Sequence, residues 1–279
     1  MDDLLPVIQK QKTLLTKVQA SLKKIAAPEE NAARRVSVLR KELVIVEKSI
    51  SDLRLDPVIL QGIQTDIKNA REELRQKEDD LKTKFGLALA NSLKASGFTL
   101  EGNYPKFKTL FYMIDVDITA DKVTLWFGAE IEKIDTTKAI PEKVVESLLK
   151  NHEAITKRLF DEKAFLKMLR TAYQMYLAAS QKSAGNDAPL SEIHALFSLL
   201  MQKEKFRKNP VIENYTEYSR AMFSYDLSRL KKRTTDQAEL RLITATMMDT
   251  RNKGEFFWIP YFEGTPAGTY ARIKFIGVS

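Results

Sequence analysis

The sequence predicts an α+β protein: an N-terminal coiled-coil or helical-hairpin module, then a mixed globular region with a β-hairpin, several helices and a C-terminal β-meander. The order of its last elements is compatible with a winged helix. Three observations carry the prediction. Apolar residues recur at alternating spacings of four and three along much of residues 1–97. They then alternate at every second position within 110–127. Three strand-like runs, "ELRLITATM", "EFFWIPYF" and "TYARIKFIG", come after a set of helical ones. The corresponding domains are 1–97, an interaction module; 98–140, a β-hairpin segment; and 141–279, helices plus meander.

The helical stripe begins with Leu4, Ile8, Gln11, Leu15, Val18, Leu22 and Ile25. It continues with Val36, Leu39, Leu43, Val46, Ile50 and Leu53, and again with Leu60, Ile63, Ile67, Ala70, Leu74, Lys77 and Leu81. Such a stripe lets helices pack knobs into holes, and polar Gln11 and Lys77 in the seam can set register. Pro28 is expected in the first turn of the second helix, with Glu29 and Glu30 favoured by the helix dipole. Asp56 is expected to cap the third helix before Pro57. A folded antiparallel three-helix bundle and a longer rod paired with another chain both fit; the short connections favour the folded form. Gly97 is a natural helix stop.

Leu110, Tyr112, Ile114, Val116 and Ile118 alternate, as do Val123, Leu125 and Phe127, with Thr119–Lys122 as the turn of a β-hairpin. The opposite face of the hairpin carries Asp115 and Asp117, and Glu130, Glu132 and Lys133 come just after it. Carboxylates at alternate strand positions can converge on a divalent metal, so this set is the candidate for a metal-dependent nuclease. "EIEK" lacks the acid-x-Lys order such sites use, and a solvated sheet face explains the same residues. The leading expectation therefore has no metal, no cofactor and no catalytic residue.

Helices are expected over 141–149, 161–180, 190–202 and 211–233, the last ending in the basic run "RLKKR". Strands 240–247 and 255–261 then form the hairpin of a winged helix, with Asp249–Gly254 as the wing tip. Ten cations could line one phosphate-binding surface: Lys203, Lys205, Arg207, Lys208, Arg229, Lys231, Lys232, Arg233, Arg251 and Lys253. Lysine and arginine at a helix C-terminus also complement its dipole locally, so a solvated helix end is the competing explanation. The aromatics of "FFWIPYF" read as core rather than as a base-stacking platform.

Composition bounds the rest. The 279 residues carry a formal net charge of +8, with 44% hydrophobic and 29% charged residues, enough to bury a core and mildly favourable to an acidic partner. The excess is even, 18 basic against 14 acidic residues in 1–100 and 27 against 23 beyond. No cysteine is present, which excludes disulfides, thiol nucleophiles and cysteine-held metals. His152 and His194 stand without HExxH-like partners, and neither a GxxxxGK[ST] loop nor a GxSxG elbow occurs. The opening "MDDLLPVIQKQK" lacks a signal peptide's pattern, and a cytoplasmic protein with no membrane contact is expected.

Together these features suggest a non-catalytic, nucleic-acid-associated accessory subunit. Its coil would dock another protein or a second copy, and its basic face would contact DNA or RNA. A purely protein-binding adaptor and the metal-dependent nuclease are the alternatives. By analogy, accessory subunits of SMC-like ATPases or phage-defence complexes have this make-up.

Overall fold

The computed structural model describes residues 4–30, 32–235, 238–261 and 267–277. Helices and antiparallel sheets are both present, with a helical N-terminal region. The chain divides into two compact units. One comprises Met1–Lys106, Val116–Val123 and Lys138–Val144; the other comprises Phe107–Asp115, Thr124–Thr137 and Val145–Ser279. The segment 98–140 is shared between them.

The first unit opens with α1 (Leu4–Ala26), α2 (Ala32–Ile50) and α3 (Pro57–Ala95). Helix α1 runs antiparallel to α2. The Gln11 side chain holds the Asp52 carbonyl and the Arg54 amide, Ser21 and Lys24 donate to Glu42, and Arg35 donates to the carbonyls of Ile25 and Ala27. Between α2 and α3, Arg35 pairs with Glu73 at 2.8 Å and Arg71 with Glu47 at 2.6 Å. Leu39, Leu43 and Ala70 form a buried cluster packed by Ile25, Ile67 and Leu74, so all three helices share apolar seam residues. The stripe is not covered along its whole length, because Ile8 and Leu15 stay 62% and 49% exposed.

The Asp56 carboxylate accepts the Val58 amide and caps α3, as its position before proline favours. Gly97, at φ +83°, ends α3: its amide bonds the Lys94 carbonyl, and the Phe98 amide bonds that of Leu93. Pro28 does not open α2, which starts at Ala32; Pro28 lies in the connection instead.

The first sheet contains β1 (Glu101–Asn103), β2 (Lys106–Thr109), β3 (Tyr112–Asp117), β4 (Lys122–Phe127) and β5 (Glu132–Thr137), paired in chain order. Strands β3 and β4 are the expected hairpin. Ile114, Val116, Val123, Leu125 and Phe127 are all buried, as their alternation requires. Helix α4 (Pro141–Thr156) comes next.

In the second unit, α5 (Glu162–Ala179) is capped by Asp161, whose carboxylate accepts the Ala164 amide at 3.0 Å. Short β6 (Ala188–Pro189) leads into α6 (Leu190–Leu200), then come α7 (Glu204–Lys208) and α8 (Arg220–Ser228). Strands β7 (Thr234–Thr235), β8 (Ala238–Thr244), β9 (Phe257–Ile259) and β10 (Gly268–Gly277) complete the described elements. Phe165, Phe197, Phe223, Phe257, Ile273 and Phe275 belong to one buried core between these helices and the second sheet. Of the run "FFWIPYF", Phe256, Phe257 and Ile259 are therefore buried as expected, whereas Tyr261 is 67% exposed and Phe262 lies outside the described residues.

Two further expectations are corrected. The helix expected over 211–233 forms only from Arg220 to Ser228. Upstream, the buried Gln202 side chain holds the extended backbone of Thr216 as a strand partner would. It donates to the Thr216 carbonyl at 2.9 Å and accepts the Thr216 amide at 2.8 Å. His194 Nε2 donates to the Tyr218 carbonyl at 2.9 Å, and Ser219 caps α8. Those bonds replace the helical ones that 215–219 would otherwise make.

The second correction concerns the wing. Strands β8 and β9 do not pair as a hairpin; each pairs antiparallel with β10, which also pairs with β6. Strand order is β6-β10-β8-β7 with β9 on β10, so the meander does not keep chain order. Between β8 and β9, Asp249 is buried and ion-paired to Arg272 of β10 at 2.6 Å, while residues 250–255 stay exposed, so the tip is anchored to β10 and is not the turn of a β8–β9 hairpin. Residues 263–266 of the "EGTPAG" joint lie outside the described residues.

Candidate nucleic-acid interface

The sequence offers ten candidate cations, and the second unit sorts them by position. Helices α5 and α6 pack as a hairpin, with Phe165 near the start of one against Phe197 near the end of the other, ring centroids 4.9 Å apart. Lys203, Lys205, Arg207 and Lys208 come after the end of α6, where Arg207 donates to the Leu200 carbonyl at 3.0 Å. The Lys232 amide bonds the Glu162 carboxylate in the first turn of α5 at 2.6 Å. The two basic clusters, 203–208 and 231–233, thus sit at the same end of the α5–α6 pair.

Within the clusters the side chains differ. Lys203, Lys205, Lys231 and Lys232 are exposed, and Arg233 is half-buried. Among the described residues the side chains of Lys203, Lys205 and Lys232 make no hydrogen bond or ion pair. Lys208 forms an i,i+4 pair with Glu204 at 2.7 Å, both ends largely in solvent. Such a pair contributes little and opens readily.

The remaining three cations stand apart. Arg229 is the C-cap of α8 and is folded inward. Its guanidinium lies 4.2 Å from the Phe160 ring centroid and donates to Asp226 and to the Arg158 carbonyl. Arg251 neighbours the Asp249–Arg272 pair, and Arg272 is the register partner of Pro189, at the opposite end of α6 from Lys203. Lys253 reaches the Glu130 carbonyl and lies 5.1 Å from the Trp126 ring centroid. Its own carbonyl accepts Arg220, at the start of α8, a full helix away from Arg229.

The acidic set expected for a nuclease is not assembled. The Asp117 carboxylate accepts the Thr119 hydroxyl and amide and the Ala120 amide, which caps its own turn and lowers its pKa, the Thr119 hydroxyl first among the causes. Glu132 is engaged by Arg220, with Arg220 Nε 2.6 Å from Glu132 Oε1. Burial pushes the Glu132 carboxyl above its usual value, against the opposing pull of Arg220. Among the described residues no three carboxylates or histidines lie together where they could hold a metal ion. Asp115 and Glu130 are half-buried and Lys133 is exposed. Both histidines lie beside aromatic rings. His152 Nδ1 lies 3.1 Å from the Tyr112 hydroxyl, and His194 packs against Phe223 and Phe257.

Sequence reasoning missed Arg220, which donates to Glu132 and to the carbonyls of Lys253, Gly254 and Phe256, with its guanidinium 3.7 Å from the Phe257 ring centroid. No local spacing could have found it, because Glu132 lies 88 positions away. Comparison of the chain with protein-family models, curated proteins and solved structures returns no match. No helix among the described residues is long and apolar enough to cross a membrane.

Proposed function

We propose that this protein is a non-catalytic, nucleic-acid-associated accessory subunit of a larger complex. The N-terminal helices dock a protein partner, and the basic end of the α5–α6 pair contacts the phosphate backbone of DNA or RNA. One observation carries the reading: two basic clusters separated in sequence, Lys203–Lys208 and Lys231–Arg233, share one end of a helix pair. Exposed lysines such as Lys203, Lys205 and Lys232 can exchange condensed counterions for phosphate contacts, which is the sequence-independent part of nucleic-acid affinity. Contact of this kind tracks the backbone, not base edges. Arg229, Arg251 and Lys253 take no part in it, and the reading needs no winged-helix wing.

The docking half rests on the heptad spacing of α1 to α3 and on the uncovered stretch of the α1 stripe. Ile8 and Leu15 are 62% and 49% exposed there. A coiled-coil pairing of α1 with a partner helix would cover them. The same observation favours the second reading, an adaptor that binds protein alone.

Fluorescence anisotropy with labelled single- and double-stranded DNA and RNA across a salt series separates the two. Binding should weaken steeply with salt. Replacing Lys203, Lys205, Lys231 and Lys232 by alanine should reduce the slope of log K against log salt by about 0.7–0.9 per phosphate contact removed. No binding at low salt, or an unchanged slope in the variant, would leave the adaptor reading in place.

A further inference from the structure

We propose that a cleft of the second unit, bounded by β5, α4 and the start of α8, binds a small organic anion with an apolar body. The cleft holds about 500 Å³, a size usual for small-ligand sites. Its apolar lining comes from Ile134, Ala154, Ile155 and Met222. The polar side chains of Asn151 and Ser219 share the lining and are already engaged, Asn151 donating to the Ser147 carbonyl and Ser219 accepting the Met222 amide.

Charge decides the class. Glu132 lines the cleft with its side chain only 14% exposed, and Arg220 offsets it at 2.6 Å. The remaining guanidinium nitrogens of Arg220 are committed to backbone carbonyls of Lys253, Gly254 and Phe256, so the pair is internally satisfied. Burial further disfavours a negative Glu132. The other charges of the lining are Lys133 and Lys150 against Glu217, all three exposed. Neither lysine side chain has a hydrogen-bond or ion-pair partner among the described residues. The cleft therefore carries a net positive rim over an apolar floor. A cation would meet Lys133 and Lys150, the second also within reach of the Asp135 charge behind Asn151, whereas a carboxylate or phosphate would meet two donors and leave its hydrocarbon on the floor.

Isothermal titration calorimetry tests this with three probes: hexanoate, phenyl phosphate and hexylammonium. The two anions should bind saturably, and hexylammonium at least about tenfold more weakly, the factor expected from roughly 1.4 kcal/mol of charge preference. Lys133→Ala with Lys150→Ala should weaken both anions about tenfold. Ala154→Trp, which fills the floor and leaves the charges alone, should remove anion binding; circular dichroism confirms its fold. Equal binding of hexylammonium, anion binding undiminished in the double variant, or no saturable anion binding by the folded wild type would each overturn the proposal. Neither lysine belongs to the two basic clusters, so this result is independent of nucleic-acid binding.

Discussion

Arg220 grips Glu132 at 2.6 Å across 88 positions of sequence, and the same guanidinium gathers three backbone carbonyls of the segment 253–256. One side chain thereby ties β5 and the approach to β9 to the start of α8.

Replacing Arg220 with alanine strands a largely buried carboxylate and three carbonyls. The expected loss is about 2–4 kcal/mol, reduced from the fully buried case because both partners retain some exposure. Arg220→Lys should recover little, since an ammonium cannot reach four acceptors in one plane. Glu132→Gln should cost less than Arg220→Ala, since the carbonyl bonds survive. Urea unfolding monitored by tryptophan fluorescence orders the three variants; equal midpoints for Arg220→Ala and wild type would contradict the role.

Gly128 sits at φ +73°, and a β-carbon built there would lie 2.9 Å from Trp258 Cδ2. Gly128→Ala therefore combines a left-handed backbone with a clash against a bulky ring. Destabilisation on the order of 2–3 kcal/mol is expected. A shifted tryptophan emission maximum should accompany it, because the Trp258 ring must move.

Gln202, 2% exposed, makes two bonds to the Thr216 backbone and one to the Ser198 carbonyl. Gln202→Leu keeps the volume but leaves the Thr216 amide and carbonyl without those partners, at a cost of about 2–3 kcal/mol. Hydrogen exchange at the Thr216 amide should accelerate well beyond that of the α6 amides. Uniform acceleration instead would mean only global loosening.

His194 supplies a pH dependence. Burial lowers its pKa below the ordinary 6.5, and the Tyr218 carbonyl opposes that shift only in part. A proton then binds the unfolded chain more readily than the folded one. The stability this histidine contributes is full above about pH 6.5 and is lost as pH falls through that value towards the folded pKa. His152 is shifted the same way, chiefly by burial. Thermal midpoints measured between pH 7 and about 5 should fall in wild type and flatten in His194→Asn. Flattening in His152→Asn alone would reassign the effect.

Much of the fold was readable from local pattern. Alternation found the β3–β4 hairpin because Ile114, Val116, Leu125 and Phe127 each had to face the same apolar side. Asp56 before Pro57 and Gly97 after α3 marked real helix ends because capping is a property of adjacent residues. Local pattern could not show anything decided by distant partners. Strand β9 comes after β8 in sequence, yet Phe257 pairs with Tyr270 of β10. The run 211–219 has helical spacing, yet Gln202 and His194 capture its backbone first. The cation cluster was half legible: "RLKKR" and "KEKFRK" stand out by charge, but only the α5–α6 hairpin sets them at one end, and Arg229 turns inward onto Phe160.

Strand β10 also imposes a delay. Its partners β6, β8 and β9 all precede it in the chain, and none can complete its ladder before Gly277 has been made. At about 5–20 residues per second, the stretch from Ala188 to Gly277 takes on the order of 10 s to synthesise. For the last roughly 1–4 s of that interval, from their own synthesis until Gly277 is made, Phe256, Phe257 and Ile259 have no sheet to join. A nascent chain of this protein should consequently be a chaperone client until β10 leaves the ribosome, however stable the finished fold.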